Sequence, residues 1–127
     1  MKIRIRGNSI RFRLTQSEVN QLCSEGKIEE ITNLPSGNFH YKVEASRNSK
    51  IFADIVGNSI ILSIPEQQLL GWESNGNVGF YQTQQLHDNK ALELTLEKDF
   101  VCLDQRAEDE SDNYPNPKAQ LINEKIK

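Results

Sequence analysis

The sequence of 127 residues has little cysteine, few aromatic residues and no long apolar run. It has two cysteines and one tryptophan, and no apolar run approaches the ~20 residues that cross a bilayer. Cys23 and Cys102 lie among apolar neighbours, so we expect reduced, buried thiols and no disulfide framework. The amino terminus lacks an uninterrupted apolar segment. We therefore expect a cytoplasmic protein with no secretory signal and no membrane partner.

The composition is otherwise that of an ordinary globular protein. Hydrophobic residues make up 36% of the chain and charged residues 26%, with a net charge of -3. A chain of this length can bury a core without a structural metal or disulfides. The mildly acidic balance gives no general reason to expect nucleic acid or an anionic membrane as partner.

The opening segment KIRIRGNSIRFRL alternates strictly between apolar and basic residues. This period of two predicts two half-buried strands joined at Gly7–Asn8, where glycine comes first, as a type II′ turn prefers. The apolar face carries Ile3, Ile5, Ile10, Phe12 and Leu14. The opposite face carries Lys2, Arg4, Arg6, Arg11 and Arg13.

The stretch GNSI occurs at Gly7–Ile10 and again at Gly57–Ile60, each time between two strand-like runs. A helix start follows each hairpin. Thr15 and Glu18 have the spacing of a capping box, and Gly26 is a natural left-handed stop for this first helix. Pro65 occupies a plausible first position of the second helix. Two further strand pairs follow these helices. This order of elements favours an internal repeat, a duplicated ββαββ unit.

The sequence therefore predicts an α+β fold. We expect about eight antiparallel strands in one bent sheet or partly closed barrel, with two short helices packed against it, because all apolar strand faces need a common core. Residues 1–103 are expected to form this single domain. Residues 104–127 form an acidic, proline-containing tail, expected to dock on the domain through about residue 117.

The basic face of the first hairpin is the leading candidate for an anion-binding site. It comprises Lys2, Arg4, Arg6, Arg11 and Arg13, and like charges directly across a strand pair destabilise a sheet. A negative partner is therefore expected. It is either intramolecular, from the acidic tail or a glutamate-bearing neighbouring strand, or a phosphate-bearing ligand such as nucleic acid. No aromatic side chain is expected among these arginines.

The tail supplies the densest negative charge in the chain. Its candidate acidic partners for the basic face are Glu108, Asp109, Glu110 and Asp112. We expect this segment to pack over or beside the basic face, with residues 113–117 as a bent extended anchor and Tyr114 covering apolar surface.

The sequence lacks the motifs of the common catalytic and metal sites. The acidic run has neither the central glycine nor the final glutamate of an EF-hand loop, and no paired Cys or His suggests zinc. No Gly-x-Ser-x-Gly elbow or phosphate-binding glycine loop is present. We expect no metal or cofactor. We expect a small non-enzymatic intracellular interaction or accessory domain with an unknown protein partner. Anion or nucleic-acid binding through the basic face is the alternative, and a metal-dependent or thiol enzyme the second alternative.

The opening MKIRIRGNSIRFRLTQSEV and the closing EKDFVCLDQRAEDESDNYPNP resemble a family of short bacterial proteins of unknown function. The resemblance implies that the acidic tail belongs to the domain, and it implies no activity. KAQLINEKIK after the closing motif looks like an extension peculiar to this chain. The matching positions are Arg11, Leu14, Thr15, Phe100, Cys102, Leu103, Asp104, Glu108, Asp109, Pro115 and Pro117.

Overall fold

Eight β-strands, one α-helix and one 3₁₀ turn are found in residues 1–101 and 110–115, the part of the chain that the computed structural model describes. The helix, α1, spans Gln16–Glu25, and the 3₁₀ turn spans Glu66–Leu69. The strands are β1 (Lys2–Arg6), β2 (Ser9–Leu14), β3 (Lys27–Leu34), β4 (Gly37–Ser46), β5 (Phe52–Val56), β6 (Ser59–Pro65), β7 (Gly79–Gln85) and β8 (Ala91–Lys98).

The strands form two four-stranded sheets. Sheet A has the order β1-β2-β8-β7 and sheet B the order β3-β4-β6-β5. Within each hairpin the strands are antiparallel, but the inner neighbours β2 and β8, and β4 and β6, are parallel. The prediction of eight strands is confirmed. The predictions of one bent or partly closed sheet and of purely antiparallel pairing are wrong. An apolar–polar period of two is the same for both kinds of pairing, so it cannot distinguish them.

The two sheets enclose one hydrophobic core between their inner faces. Trp72 and the α1 residues Val19 and Leu22 close this core at the end where the strands lead into α1 and the 3₁₀ turn. The buried apolar strand residues are Phe12, Leu14, Ile28, Val43, Ala53, Leu62, Ile64, Leu94 and Leu96.

Helix α1 has the predicted start and end. The backbone amide of Thr15 donates to the carboxylate of Glu18 at 2.9 Å, which satisfies one free donor at the amino terminus. Gly26 ends the helix in the left-handed conformation, with φ of 81°. Within the described residues, no helix is both long and apolar enough to cross a bilayer.

The second predicted helix is only a 3₁₀ turn, which corrects the expectation of two helices. Its last residue is followed by Leu70 in an extended conformation and by Gly71 with φ of 74°. The left-handed glycine turns the chain away before an α-helical turn can continue. Leu69 and Trp72 are nevertheless buried, and the indole N–H of Trp72 donates to the carbonyl of Asn77 at 2.8 Å.

Asn8 and Asn58, the asparagines of the two GNSI stretches, make matching hydrogen bonds. Each side-chain amide donates to the carbonyl at the start of the neighbouring inner strand, and each backbone carbonyl accepts from the amide two residues further on. Gly7 and Gly57 precede them with φ of 53° and 60°. The distances are 2.9 Å (Asn8 to Ala91), 3.0 Å (Glu93 to Asn8), 2.8 Å (Asn58 to Asn38) and 2.9 Å (His40 to Asn58).

Candidate anion-binding face

The five predicted basic residues lie on the outer face of sheet A, which we call the basic face. β1 and β2 pair so that Arg4 is opposite Arg11 and Lys2 is opposite Arg13. The parallel strand β8 then adds glutamates to this surface, because Glu93 and Glu97 share the outward parity. Five basic residues against two glutamates give the strands of the basic face a net charge of +3, whereas the whole chain carries -3.

Glu97 neutralises part of the basic face. Its carboxylate accepts a hydrogen bond from Nε of Arg13 at 2.8 Å and lies 3.6 Å from Nε of Arg11. Lys2 Nζ lies 3.2 Å from the carboxylate of Asp99 at the end of β8. A glutamate-bearing neighbouring strand was one of the two intramolecular partners expected from the sequence. This strand is β8.

Arg4 and Arg6 lie at the outer edge of the basic face and are exposed. Neither forms an ion pair within the described residues. A depression of about 340 Å³ opens beside them, and Glu93 is its one acidic residue. The lining residues are Arg4, Arg6, Ser9, Ile10, Arg11, Glu93 and Thr95. Two guanidinium groups at the rim of an open depression are well suited to a phosphate or carboxylate.

Tyr81 is a residue of this surface that sequence reasoning missed. It is paired through Thr95 of β8 with Arg11, and hence stands in the same cross-strand row as Arg4. Its side chain is 66% exposed. Alternation in GFYQTQQ puts Tyr81 on the face opposite Phe80, but only the parallel β2–β8 pairing places that face beside the arginines.

The outer face of sheet B has different chemistry at equivalent positions. When Gly57 is aligned with Gly7, none of the five basic residues has a basic counterpart. Ile61 is paired with Asp54 where Arg11 is paired with Arg4. The five counterparts, in the order Lys2, Arg4, Arg6, Arg11 and Arg13, are Phe52, Asp54, Val56, Ile61 and Ser63.

Of the four predicted acidic partners, Glu110 and Asp112 are described, while Glu108 and Asp109 lie outside the described residues. Asp112 contacts the start of α1. Its carboxylate accepts hydrogen bonds from the backbone amide of Ser17 at 3.2 Å and from the Ser17 hydroxyl, and its carbonyl accepts from the amide of Gln16 at 2.9 Å. The hydrogen bonds from Ser17 lower the pKa of Asp112. The tail is thus attached to a helix terminus, where free amides favour an anion.

Tyr114 connects the tail to the end of β8. Its amide donates to the carbonyl of Asp99 at 2.8 Å, and its carbonyl accepts from the amide of Val101 at 2.7 Å. Its ring packs against Phe100 with centroids 5.8 Å apart. Lys98 Nζ lies 5.0 Å from the ring centre. The described part of the tail therefore packs on the end of the domain that carries α1.

Lys98 and Asp99 are buried at this end, whereas Cys23, which was predicted to be buried, is only partly buried. Lys98 is 5% exposed, and its ammonium donates to the carbonyl of Asn75 at 2.8 Å. Burial lowers the pKa of Lys98. Burial, followed by the nearby Glu73, raises the pKa of Cys23 to about 11. A thiol that stays protonated at neutral pH is a poor nucleophile, which disfavours Cys23 as a catalytic thiol.

Cys23 lines a cavity of about 790 Å³ between α1 and the 3₁₀ turn. Its thiol donates to the carbonyl of Leu69 at 3.4 Å. In residues 1–101 and 110–115, no three His, Cys, Asp or Glu side chains are grouped so that they could hold a metal ion. Cys102, the other predicted buried thiol, lies outside the described residues.

Comparison with protein-family models matches residues 1–118 to a family of unknown function, DUF7009. The matched range includes the opening hairpin and the acidic tail through Pro117, and it omits nearly all of KAQLINEKIK. No curated protein and no solved structure matches the chain.

Proposed function

The chain belongs to the DUF7009 family, whose function is unknown, and we propose that it is a non-enzymatic interaction module. It binds a polyanionic partner on the basic face. One observation carries this proposal. The two equivalent hairpins β1–β2 and β5–β6 have alike inner faces, but only the first has a basic outer face.

The fold does not require these charges. Arg4 opposite Arg11 and Lys2 opposite Arg13 are like-charge pairs, which cost stability in a sheet. Asp54 opposite Ile61 serves the same place in sheet B without that cost. Because these like-charge pairs destabilise the sheet and the fold forms without them in sheet B, we infer that the basic residues serve binding.

Neutralisation of the basic face by residues 1–101 and 110–115 is incomplete. Glu97 is shared by Arg11 and Arg13, so Arg4 and Arg6 remain available to a ligand. Arginine binds phosphate with two parallel hydrogen bonds, and an unpaired guanidinium gains most from such a ligand. Phosphate groups are therefore the favoured partner chemistry.

Among phosphate-bearing partners, Tyr81 favours a single-stranded nucleic acid. Tyr81 shares a cross-strand row with Arg11 and Arg4, separated from Arg11 by Thr95. An exposed aromatic ring on the same face as arginines is the combination on which unpaired bases stack while their phosphates are neutralised. Duplex DNA offers no free base face to this ring. A polyanion without bases, such as heparin, provides the comparison.

The test is fluorescence anisotropy of a labelled single strand of about 12 nucleotides, a length in the range that one small binding surface covers. We expect binding that weakens between about 50 mM and about 200 mM salt. The double variant Arg4→Ser/Arg6→Ser should lower the affinity at least about tenfold. Each lost phosphate contact lowers the affinity, and the effect is largest at low salt.

The matched control is Arg47→Ser/Lys50→Ser, which removes the same charge from the exposed β4–β5 connection. It should leave the affinity nearly unchanged. Equal losses in the two double variants would mean that net charge alone drives binding. No binding by the unaltered chain to the single strand or to heparin would refute the proposed function.

We also propose that the chain is a duplicated ββαββ unit. The strand order supports this, because exchanging the two units converts β1-β2-β8-β7 into β5-β6-β4-β3, the order of sheet B. The matching contacts of Asn8 and Asn58 support it as well.

The free thiol of Cys23 is in keeping with a reducing compartment, and we propose that the protein is cytoplasmic.

A further inference from the structure

Gln84 links the edges of the two sheets. It lies on β7, the edge strand of sheet A, and its side chain reaches Ala53 on β5, the edge strand of sheet B. The carboxamide oxygen accepts from the backbone amide of Ala53 at 2.8 Å, and the carboxamide nitrogen donates to the Ala53 carbonyl at 3.1 Å. A carboxamide offers one acceptor and one donor, as a peptide group does. Gln84 thus occupies the place of one residue of an additional strand.

The next outward-facing amide of β5 is also satisfied by a side chain. The backbone N–H of Ile55 donates to the carboxylate of Asp54 at 2.8 Å. Both contacts protect an edge strand that would otherwise present unpaired backbone groups. Unlike a neighbouring strand, a single side chain can rotate into water and release the groups that it holds.

A deep apolar cleft opens beside Gln84 at the end of the molecule that carries the hairpin turns. Ile5 and Ile55 face inward by their register, yet they are 55% and 60% exposed. The sheets therefore separate at this end and leave a cleft of about 720 Å³. Its apolar lining consists of Ile5, Ile10, Phe52, Ala53, Ile55, Ile60, Leu86 and Leu92.

A second, smaller depression of about 400 Å³ lies on the other side of Gln84. It is lined by the β4–β5 connection and by polar residues of β7. Gln84 lines both depressions. The seam between β5 and β7 is thus open on both sides of one carboxamide contact.

We propose that β5 is a strand-addition site for an extended peptide segment of another protein, and that Gln84 is the exchangeable group that the peptide displaces. The peptide backbone would pair with the amide and carbonyl of Ala53 and with the amide of Ile55. One apolar side chain would enter the cleft. The occupant is a peptide because the groups vacated by Gln84 are a paired amide donor and carbonyl acceptor, which a lipid chain cannot satisfy.

The equivalent seam between β1 and β3, within the residues described, has no carboxamide contact of this kind. When Leu96 is aligned with Val43, Thr32 takes the place of Gln84. Its hydroxyl donates and accepts at one oxygen on a shorter side chain, so it does not present a separate acceptor and donor side by side as a carboxamide does. On that side the amino-terminal ammonium of Met1 is bound by Glu18 and, at 2.5 Å, by Glu30. An ion pair between charged groups is not a substitute for a strand. The exchange is therefore specific to β5.

The test uses a fluorescent, end-capped peptide of about eight residues, a usual strand length, in which valine and threonine alternate between terminal lysines. Its analogue, N-methylated at every residue between the lysines, cannot donate along either edge and is the ligand control. We expect weak binding to the unaltered chain. Gln84→Ala should raise the affinity about tenfold, because the competing hydrogen bonds are lost. Gln82→Ala, two residues away on the same strand, should not.

Amide NMR spectra identify the contact. Binding should shift the signals of Ala53 and Ile55 and slow the exchange of both amides, whereas the N-methylated analogue should do neither. If Gln84→Ala unfolds the chain, Gln84→Met keeps the side-chain volume and replaces it in the test. The proposal fails if the N-methylated analogue binds equally well or if the shifts lie elsewhere. It also fails if the variant pairs with a second copy of itself in place of the peptide.

Discussion

The hairpins β1–β2 and β5–β6 occupy equivalent places in the two sheets and differ mainly in what they present to solvent. Their inward residues match in kind, as Phe12 and Leu62 do, and both are fully buried. Their outward residues are basic in the first hairpin and acidic, apolar or small in the second. Packing restricts the inner positions because each must fill the common core, whereas the outer positions are free to change.

This comparison shows where in the molecule a function is to be sought. A feature present in both halves is explained by the fold. A feature found in one half only, such as the row of arginines or the Gln84 contact, needs another explanation. The following experiments test whether the two halves differ as proposed.

The largest effect is expected from giving the first hairpin the outer residues of the second. Arg4→Asp/Arg6→Val/Arg11→Ile should lower oligonucleotide affinity ~10²-fold or more, because three cations leave the phosphate-binding surface. The fold should persist, since the same residue types occur at these positions in sheet B. Anisotropy titration and circular dichroism measure the two outcomes. The reciprocal variant Asp54→Arg/Val56→Arg/Ile61→Arg should gain affinity, and no gain would show that more than charge is required.

The tail belongs to one half only, because it packs on the start of α1. Deleting residues 107–127 should lower the free energy of unfolding by about 2–4 kcal/mol, since the Tyr114 ring and several hydrogen bonds are lost. Urea unfolding followed by Trp72 fluorescence measures this change. Deleting residues 118–127 alone is the control and should have no effect. We also expect the longer deletion to increase salt-sensitive binding of polyanions, and unchanged stability and binding would make the tail an independent appendage.

The asparagines of both GNSI stretches should contribute to stability. Asn8→Ala removes one side-chain hydrogen bond and Asn58→Ala removes two, because Asn58 also donates to Oδ1 of Asn38. Asn8→Ala should lower the free energy of unfolding by about 0.5–1.5 kcal/mol in urea, and Asn58→Ala by at least as much. Asn48→Ala, in the exposed β4–β5 connection, is the control and should be neutral. A loss in only one of the two variants would contradict the proposed duplication.

The smallest effect concerns the pH dependence of tail docking. The pKa of Asp112 is lowered in the folded chain by the hydrogen bonds from Ser17. A lowered pKa means that this stabilisation is complete above the unfolded value of about 4 and is lost as the pH falls through the folded value. The contribution should be below about 1 kcal/mol because the group is near the surface. Asp112→Asn should be less stable than the unaltered chain at pH 7, and this difference should vanish in acid.

Several local features could be predicted from the sequence because their causes are local. The register of β1 and β2 follows from the two-residue turn, and it places Ile5 opposite Ile10 as expected. The start of α1 at Thr15 and its end at Gly26 follow from capping. The second helix was predicted incorrectly. Pro65 and the spacing of Leu69 and Trp72 suggested a helix start, but Gly71, in the left-handed conformation, ends the turn before Trp72.

The site was predicted only in part for a different reason. The basic residues share one strand pair, so their common face is a property of the sequence. Glu97 and Tyr81 join them through β8, which is remote in the sequence. The contact of Asp112 with Ser17 likewise joins distant segments, and the charge of the tail alone did not indicate it.

The strands, their two faces, the hairpin turns and the caps of α1 follow from local sequence, because they depend on neighbouring side chains and on backbone preferences. Which strands became neighbours was set by tertiary packing. Every residue except proline offers the same backbone donor and acceptor, so β2 could pair as readily with an antiparallel strand as with β8. Packing of the two inner faces around Phe12, Leu62 and Trp72 selects the pairing, and with it the side chains that surround the arginines and the strand edge that Gln84 covers.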